Sequence, residues 1–346
     1  MYSIIERRNF VKKKLMLVGI IVFTMFVTGC ELFKSDIMDD IDIYTTIYPV
    51  NYLITYLYGD NSTIRSVYPS GSDVDSYELS DKKLNDYSKS ALFVFNSKDR
   101  DMQLAVDMVN RNSNLKLIDV ALGMDYTYSI EELWLNPYNY LMMARNVRNG
   151  LDEYITSHYL IKDINERFDD LQYRLSKLDA ELKSIISNAN YTTIVADNDL
   201  FKFLEKYNVT VISLEEDIRS YTVKEKDTIT DIALNYKVSV DDIKQYNNLT
   251  SDDLTVNQKI LIPIKTIEQS NIDKAKKLIN NGDVKYIFSA NNSSNEVVNN
   301  LIKNYNIELA TFNIMKSIDG GVTGPNDSYF TIMNDNMELL KMELQK

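Results

Sequence analysis

Ile164 to Ile186 reads INERFDDLQYRLSKLDAELKSII, and its apolar residues Phe168, Leu171, Leu175, Leu178, Leu182 and Ile185 recur three or four positions apart with charges between them. That spacing lays one apolar stripe along a long amphipathic helix. The helix divides two stretches in which strands and helices alternate. Before it, Ile43-Tyr44-Thr45-Thr46-Ile47 has the β-branched and aromatic content of a buried strand. A helix from Tyr48 to Tyr58, a strand from Ile64 to Tyr68, a turn-rich loop from Pro69 to Ser80, a helix near Asp81 to Ser88 and an apolar strand from Ala91 to Phe95 follow. After it, strand-like runs occupy Tyr191 to Ala196, Val209 to Leu214, Val284 to Ser289 and Glu308 to Phe312. Alternation of this kind predicts parallel sheets with helices on their faces, so the expected class is α/β, with two lobes joined by the long helix.

The N-terminus carries a basic stretch (Arg7, Arg8, Lys12, Lys13, Lys14) and then an apolar run from Leu15 to Val27. These have the character of the n- and h-regions of a secretory signal, too short and wrongly flanked for a membrane span. Val27-Thr28-Gly29-Cys30 resembles a lipobox, in which the cysteine is acylated and becomes the mature N-terminus on cleavage. Cys30 is the only cysteine, which excludes disulfides within one chain and leaves lipidation as a use for the thiol. The alternative is an uncleaved signal anchor with Cys30 a bystander. No second apolar run of spanning length follows. The mature part is therefore expected to be a soluble extracytoplasmic body, lipid-anchored to the cell membrane and facing the cell wall.

The formal net charge is -12 over 346 residues, which argues against a nucleic-acid partner. The length allows two or three domains. His158 is the only histidine, so neither a Ser-His-Asp nor a Cys-His set can be assembled, and no enzyme is expected. Glu215 and Glu216 form an acid pair of the kind a glycan hydrolase uses, but nothing beyond adjacency marks them.

Between Val209–Leu214 and Val284–Ser289 the text changes character. YTVKEKDTITDIALNYKVSVDDIKQYNNLTSDDLTVNQKILIPI, from Tyr221 to Ile264, reads as strand, helix (Ile229 to Tyr236), helix (Val240 to Asn247) and strand (Lys259 to Pro263). This β-α-α-β segment resembles a LysM module over the module's whole length. One departure is Lys226, where such modules usually have glycine, a residue that adopts backbone angles lysine rarely does. The resemblance implies binding of N-acetylglucosamine-containing glycans, chiefly peptidoglycan, through a shallow groove. The corresponding residues are Asp227, Thr228 and Ile229 on one side and Leu254, Val256 and Asn257 on the other. Both ends of the insert are expected at the surface of the second lobe.

Outside the insert, four landmarks stand in order. They are Thr45-Thr46-Ile47-Tyr48-Pro49, the loop PSGSDVDSYELS from Pro69 to Ser80, LWLNP from Leu133 to Pro137, and the terminal YFTIMNDNMELL. Together they resemble the substrate-binding lipoproteins of metal-ion (zinc and manganese) ABC importers, a family that includes streptococcal adhesins. The resemblance implies two Rossmann-like lobes, the metal-type periplasmic-binding-protein fold. It also implies an ion held between the lobes by three histidines and a carboxylate. Carried over residue by residue, the histidine positions fall on Asp75, Glu132 and Asp197, and the acidic position on Asn313. No histidine remains among them. His158 matches no ligand position and is expected to be a surface or packing residue. Trp134 is expected to pack; Tyr77 either lines the cleft or packs beneath it.

Zinc is held mainly by imidazole and thiolate in small tetrahedral sites, whereas an all-oxygen set suits Mn, Mg or Ca better. Three converging carboxylates also require a cation, metal or otherwise, to offset their repulsion. The expected protein is a monomeric solute-binding lipoprotein that captures a divalent ion and delivers it to an ABC permease. Its LysM module holds peptidoglycan. The alternative is a receptor fold that no longer binds metal and serves as a wall-binding or adhesion lipoprotein. The expected divisions are a signal peptide (1–29), a lipidated tether (30–41), an N-terminal lobe (42–163), a linking helix (164–189), a C-terminal lobe in two parts (190–220 and 265–346) and the insert (221–264).

Overall fold

The computed structural model describes residues 36–290, 295–316 and 328–346. The expected signal peptide, Cys30 and the start of the expected tether lie outside the described residues. The first lobe is a parallel sheet of β1 (Ile41–Thr45), β2 (Ser62–Ser66), β3 (Leu92–Phe95) and β4 (Lys116–Asp119), in the order β2-β1-β3-β4. β3 is buried along its whole length, as expected of a strand covered on both faces. Helices Tyr48–Tyr58, Asp81–Tyr87 and Asp101–Arg111 make the crossovers. The helix Pro137–Tyr154 starts where Asn136 accepts hydrogen bonds from the Tyr138 and Asn139 amides and a proline fills the first position.

The long helix runs from His158 to Ser187, one turn and more ahead of the stretch quoted above. Ser157 caps it by accepting from the Leu160 amide, so His158 is its first residue. Its buried residues are Leu160, Ile164, Phe168, Leu171, Leu175, Leu178, Leu182 and Ile185, the stripe expected from the sequence with one turn added. The second lobe repeats the first with β5 (Thr193–Ala196), β6 (Thr210–Ser213), β9 (Tyr286–Ala290) and β10 (Glu308–Phe312), all parallel, in the order β10-β9-β5-β6.

Between β6 and β9 the chain forms an antiparallel ribbon of β7 (Asp217–Thr222) and β8 (Lys259–Lys265) around helices Ile229–Tyr236 and Val240–Tyr246. The ribbon begins at Asp217, four residues before the segment read as the insert. This unit has its own small core of Val223, Ile229, Ile232, Ala233, Ile243, Ile260 and Ile262. Helices Gln269–Asn281 and Glu296–Asn304 cover the second sheet on one face with a second core around Val195, Ile212 and Ile287. The largest core is continuous. It runs from Ile43 and Phe93 in the first sheet, through the long helix, to Phe201, Phe288 and Phe312 and the C-terminal helix Tyr329–Leu344. No helix among the described residues is long and apolar enough to cross a membrane.

Candidate functional site

Loops leaving the C-terminal ends of strands in both sheets meet around a cleft of about 640 Å³. Open α/β sheets place their ligands at this edge. The first lobe contributes Ser72, Asp73, Asp75, Tyr128 and Glu131; the second contributes Asn198, Asp199, Glu215 and Lys316, with Arg219 from the base of the ribbon. The cleft therefore carries five carboxylates and two cationic groups.

Of the four positions expected to hold an ion, only Asp75 lines this cleft. Its carboxylate is engaged by Lys316, whose Nζ lies 2.8 Å from Oδ1 and 2.9 Å from Oδ2. Glu132 turns inward and is completely buried. Its Oε1 accepts from the amides of Thr127, Tyr128 and Ser129 at 3.2, 2.5 and 3.3 Å, and its Oε2 accepts from Lys206 Nζ at 2.9 Å. Oε1 thus folds the 127–132 turn and Oε2 pairs with Lys206 of the other lobe, which corrects the expectation that Glu132 faces the cleft. Asp197 is buried against Ser289, whose hydroxyl donates to Oδ2, while Oδ1 finds no hydrogen-bond partner among the described residues. Burial pushes its carboxyl up to about 6, against the opposing pull of the Ser289 bond. Asn313 is committed to the backbone: its Oδ1 accepts from the Met315 amide at 2.9 Å. Its main-chain N–H and C=O pair with the Asn336 amide group at 2.9 Å each.

The expected convergence of Asp75, Glu132, Asp197 and Asn313 is not what the side chains form. Among the described residues no group of three or more His, Cys, Asp or Glu side chains is placed to hold one metal ion. Asp199 and Glu215 are likewise matched by a lysine, whereas Asp73 accepts from the Ser76 hydroxyl and the Asp75 amide. Lys265, the last residue of β8, donates to both Asp199 and Glu215. Those bonds, with Lys202 also close to Asp199, outweigh burial and hold the Asp199 carboxyl below its ordinary range. Glu131, Asp199, Arg219, Lys265 and Lys316 are charged residues at the cleft that sequence reasoning missed. The pair Glu131-Glu132 offered a hint, since only one of two neighbours in a turn can face the cleft. Trp134 is fully buried, its Nε1 donating to the Ile314 carbonyl at 2.8 Å, as expected of a packing residue. Tyr77 is half-buried, packs edge-on against Tyr68 and accepts from Lys83.

The two segments expected to form a glycan groove lie together at the far end of the ribbon, where Asn257 N–H donates to Val223 O at 2.8 Å. Thr228 caps the following helix through Asp231, and Asp227 accepts from Tyr221 and the Lys224 amide. Ile229 is buried in the unit's core and Leu254 packs against it, whereas Val256 is exposed. Side chains at this end mostly hold the loop shape.

Residues 43–241 match the model of ZnuA, the zinc-uptake complex component A, periplasmic, and residues 221–263 match the LysM domain. A search of curated proteins gives no match. Among solved structures, the Zn(II)-bound ZnuA-like domain of Streptococcus pneumoniae AdcA is similar with a TM-score of 0.62 at 15% identity, covering 89% of this chain and 100% of that one. The metal-dependent lipoprotein YcdH of Bacillus subtilis gives 0.63 at 14% identity, with 89% and 100% covered. The laminin-binding protein Lbp of Streptococcus pyogenes gives 0.60 at 12%, with 88% and 99% covered. At these identities the likeness establishes the fold.

Proposed function

Because the chain belongs to the ZnuA family and carries a LysM domain, we propose that it is an envelope-tethered solute-binding receptor of the ABC-importer type. In this reading Cys30 holds it to the membrane as a monomeric lipoprotein, the LysM domain grips peptidoglycan, and the cleft presents its occupant to a permease. It is a binder rather than a catalyst. The observation that carries the reading is the cleft itself, lined from both lobes at the strand ends where such folds take their ligands. Two attachment points also favour each other, since the first raises the effective concentration of the second.

A divalent ion is the cargo that the family suggests. The zinc-bound AdcA domain speaks for zinc, against the preference for Mn, Mg or Ca that oxygen donors alone suggest. A second reading, a receptor fold that takes no metal and serves the wall as a binding or adhesion lipoprotein, is favoured by a specific observation. Glu132, Asn313 and Asp75 already have their side-chain oxygens engaged by backbone amides or lysines. Titrating the metal-free mature protein with ZnCl2, MnCl2 and CaCl2 separates the two. A ligand that binds only the native state raises the melting temperature. Stabilisation by one of these ions supports metal capture; none by any of them leaves the second reading. Failure of the full chain to co-sediment with purified peptidoglycan would remove the LysM part.

A further inference from the structure

The distribution of charge across the cleft shows a substitution that no single residue reveals. Asp75 and Glu131 belong to the first lobe, and Lys316 follows β10 in the second. Its Nζ lies between them, 2.8 Å from Asp75 Oδ1 and 3.4 Å from Glu131 Oε1. The side chains of Lys316 and Glu131 are 19% and 11% exposed, so that pair is shielded, while Asp75, 63% exposed, holds the ammonium from the solvent side. We propose that Lys316 is a tethered cation that bridges the two lobes across the cleft, taking the role that a bound ion would otherwise fill.

The neighbouring residues prepare this arrangement. Asn313, at the position where the family resemblance places an acidic ligand, instead receives the Met315 amide and shapes the turn that presents Lys316. Met315 sits at φ 57°, a left-handed conformation that non-glycine residues seldom adopt, and its side chain is buried. Ile314, two residues before the lysine, is tied to the first lobe by the Trp134 indole. On the facing side Glu132 has turned into the protein while Glu131 has taken the cleft, so the charge has moved by one residue. Arg100 holds the Asp75 loop by donating to the carbonyls of Val74, Asp75 and Tyr77. Burial disfavours the ammonium, yet Asp75 and Glu131, with Asp99 behind them, raise its affinity for the proton overall. A divalent ion entering here has to displace an ammonium that stays covalently tethered at the cleft.

The inference deepens the metal-free reading of the cleft and rests on it, so its test reads the bridge and metal binding separately. Trp134 is the sole tryptophan and reports on the Ile314–Lys316 segment. In the full mature chain, Lys316→Met is expected to shift its emission to the red and increase acrylamide quenching severalfold, while Lys316→Arg stays as the parent. MnCl2 is expected to reverse the change in Lys316→Met and to leave the parent unaffected. Asp75→Asn, a change in an exposed loop that removes the partner from the other lobe, should move emission the same way. Parent-like emission and quenching in both Lys316→Met and Asp75→Asn would overturn the bridge. If the parent binds ZnCl2 or MnCl2 stoichiometrically and Lys316→Met binds no better, the bridge also fails while metal capture stands. Red-shifted variants of a parent that binds no ion support the bridge and end the metal-capture reading.

Discussion

Lys226 occupies a left-handed turn at φ 72° where LysM modules usually have glycine. A β-carbon there costs about 1 kcal/mol, so Lys226→Gly is expected to stabilise the ribbon unit by roughly that amount. Amide exchange within residues 221–263 measures it. Asp101 is a different kind of residue, fully buried with its Oδ1 accepting from Tyr68 at 2.7 Å. Burial pushes its carboxyl up to about 6, while the Tyr68 bond pulls the other way. The neutral form is therefore the one the fold prefers. Its stabilising contribution is complete below the ordinary value of 3.8 and is lost as pH rises through about 6. The amount is about 3 kcal/mol. Asp101→Asn should flatten the decline in denaturation free energy between these pH values. Glu132→Ala, by contrast, orphans three amides while the half-exposed Lys206 returns to solvent, and is expected to cost about 1–3 kcal/mol in a denaturant titration. At this scale the sequence was a partial guide. It located Asp75 at the cleft but could not separate Glu131 from Glu132, because which neighbour turns inward depends on the amides of residues 127–129. Nor could it pair Lys316 with Asp75, since nothing local links residues 241 positions apart.

The elements with a strong period were legible. The helices Tyr48–Tyr58 and Ile229–Tyr236 and the strand Glu308–Phe312 stand where their patterns put them. The long helix was legible from its stripe starting at Ile164, which leaves the helical stretch around His158 separate from it, whereas the cap at Ser157 makes the two continuous. β4 went unread for a different reason. In Lys116–Asp119 only Ile118 is fully buried, as befits an edge strand, so no run of apolar residues announces it. What fixes β4 against its neighbour is Gly150 in the helix Pro137–Tyr154. A β-carbon there would lie 2.7 Å from Ile118 Cγ1. Gly150→Ala should therefore cost about 1–3 kcal/mol by overpacking, despite alanine's better helix propensity. Thermal denaturation of the variant tests this, and a smaller cost of Gly150→Ala in an Ile118→Ala background, which lacks the clashing γ-carbons, would locate the clash.

For the whole molecule, the order of lobes, helix and insert followed from alternation and from the change of text at Tyr221, whereas the point of attachment did not. The ribbon's base lies against the cleft, because Asp217 pairs with Lys265 and Lys265 reaches Asp199 and Glu215. Paired antiparallel residues are only about 5 Å apart. Removal of residues 218–264 with a short glycine closure is therefore expected to leave both sheets folded. Far-ultraviolet circular dichroism should still show the α/β body, while co-sedimentation with peptidoglycan is lost.

The continuous core has a consequence for how the cleft fills and empties. Tyr329 stacks on Tyr140 at 4.0 Å, its hydroxyl donates to the Trp134 carbonyl, and the indole donates onward to Ile314. Swinging the lobes apart would strip buried aromatic side chains, each worth about 1.5–3 kcal/mol. The molecule is thus a welded bracket rather than a jaw. Whatever enters must be admitted by the flick of a few side chains at the rim, and a permease docking on that rim would meet much the same outline whether the bracket is loaded or bare.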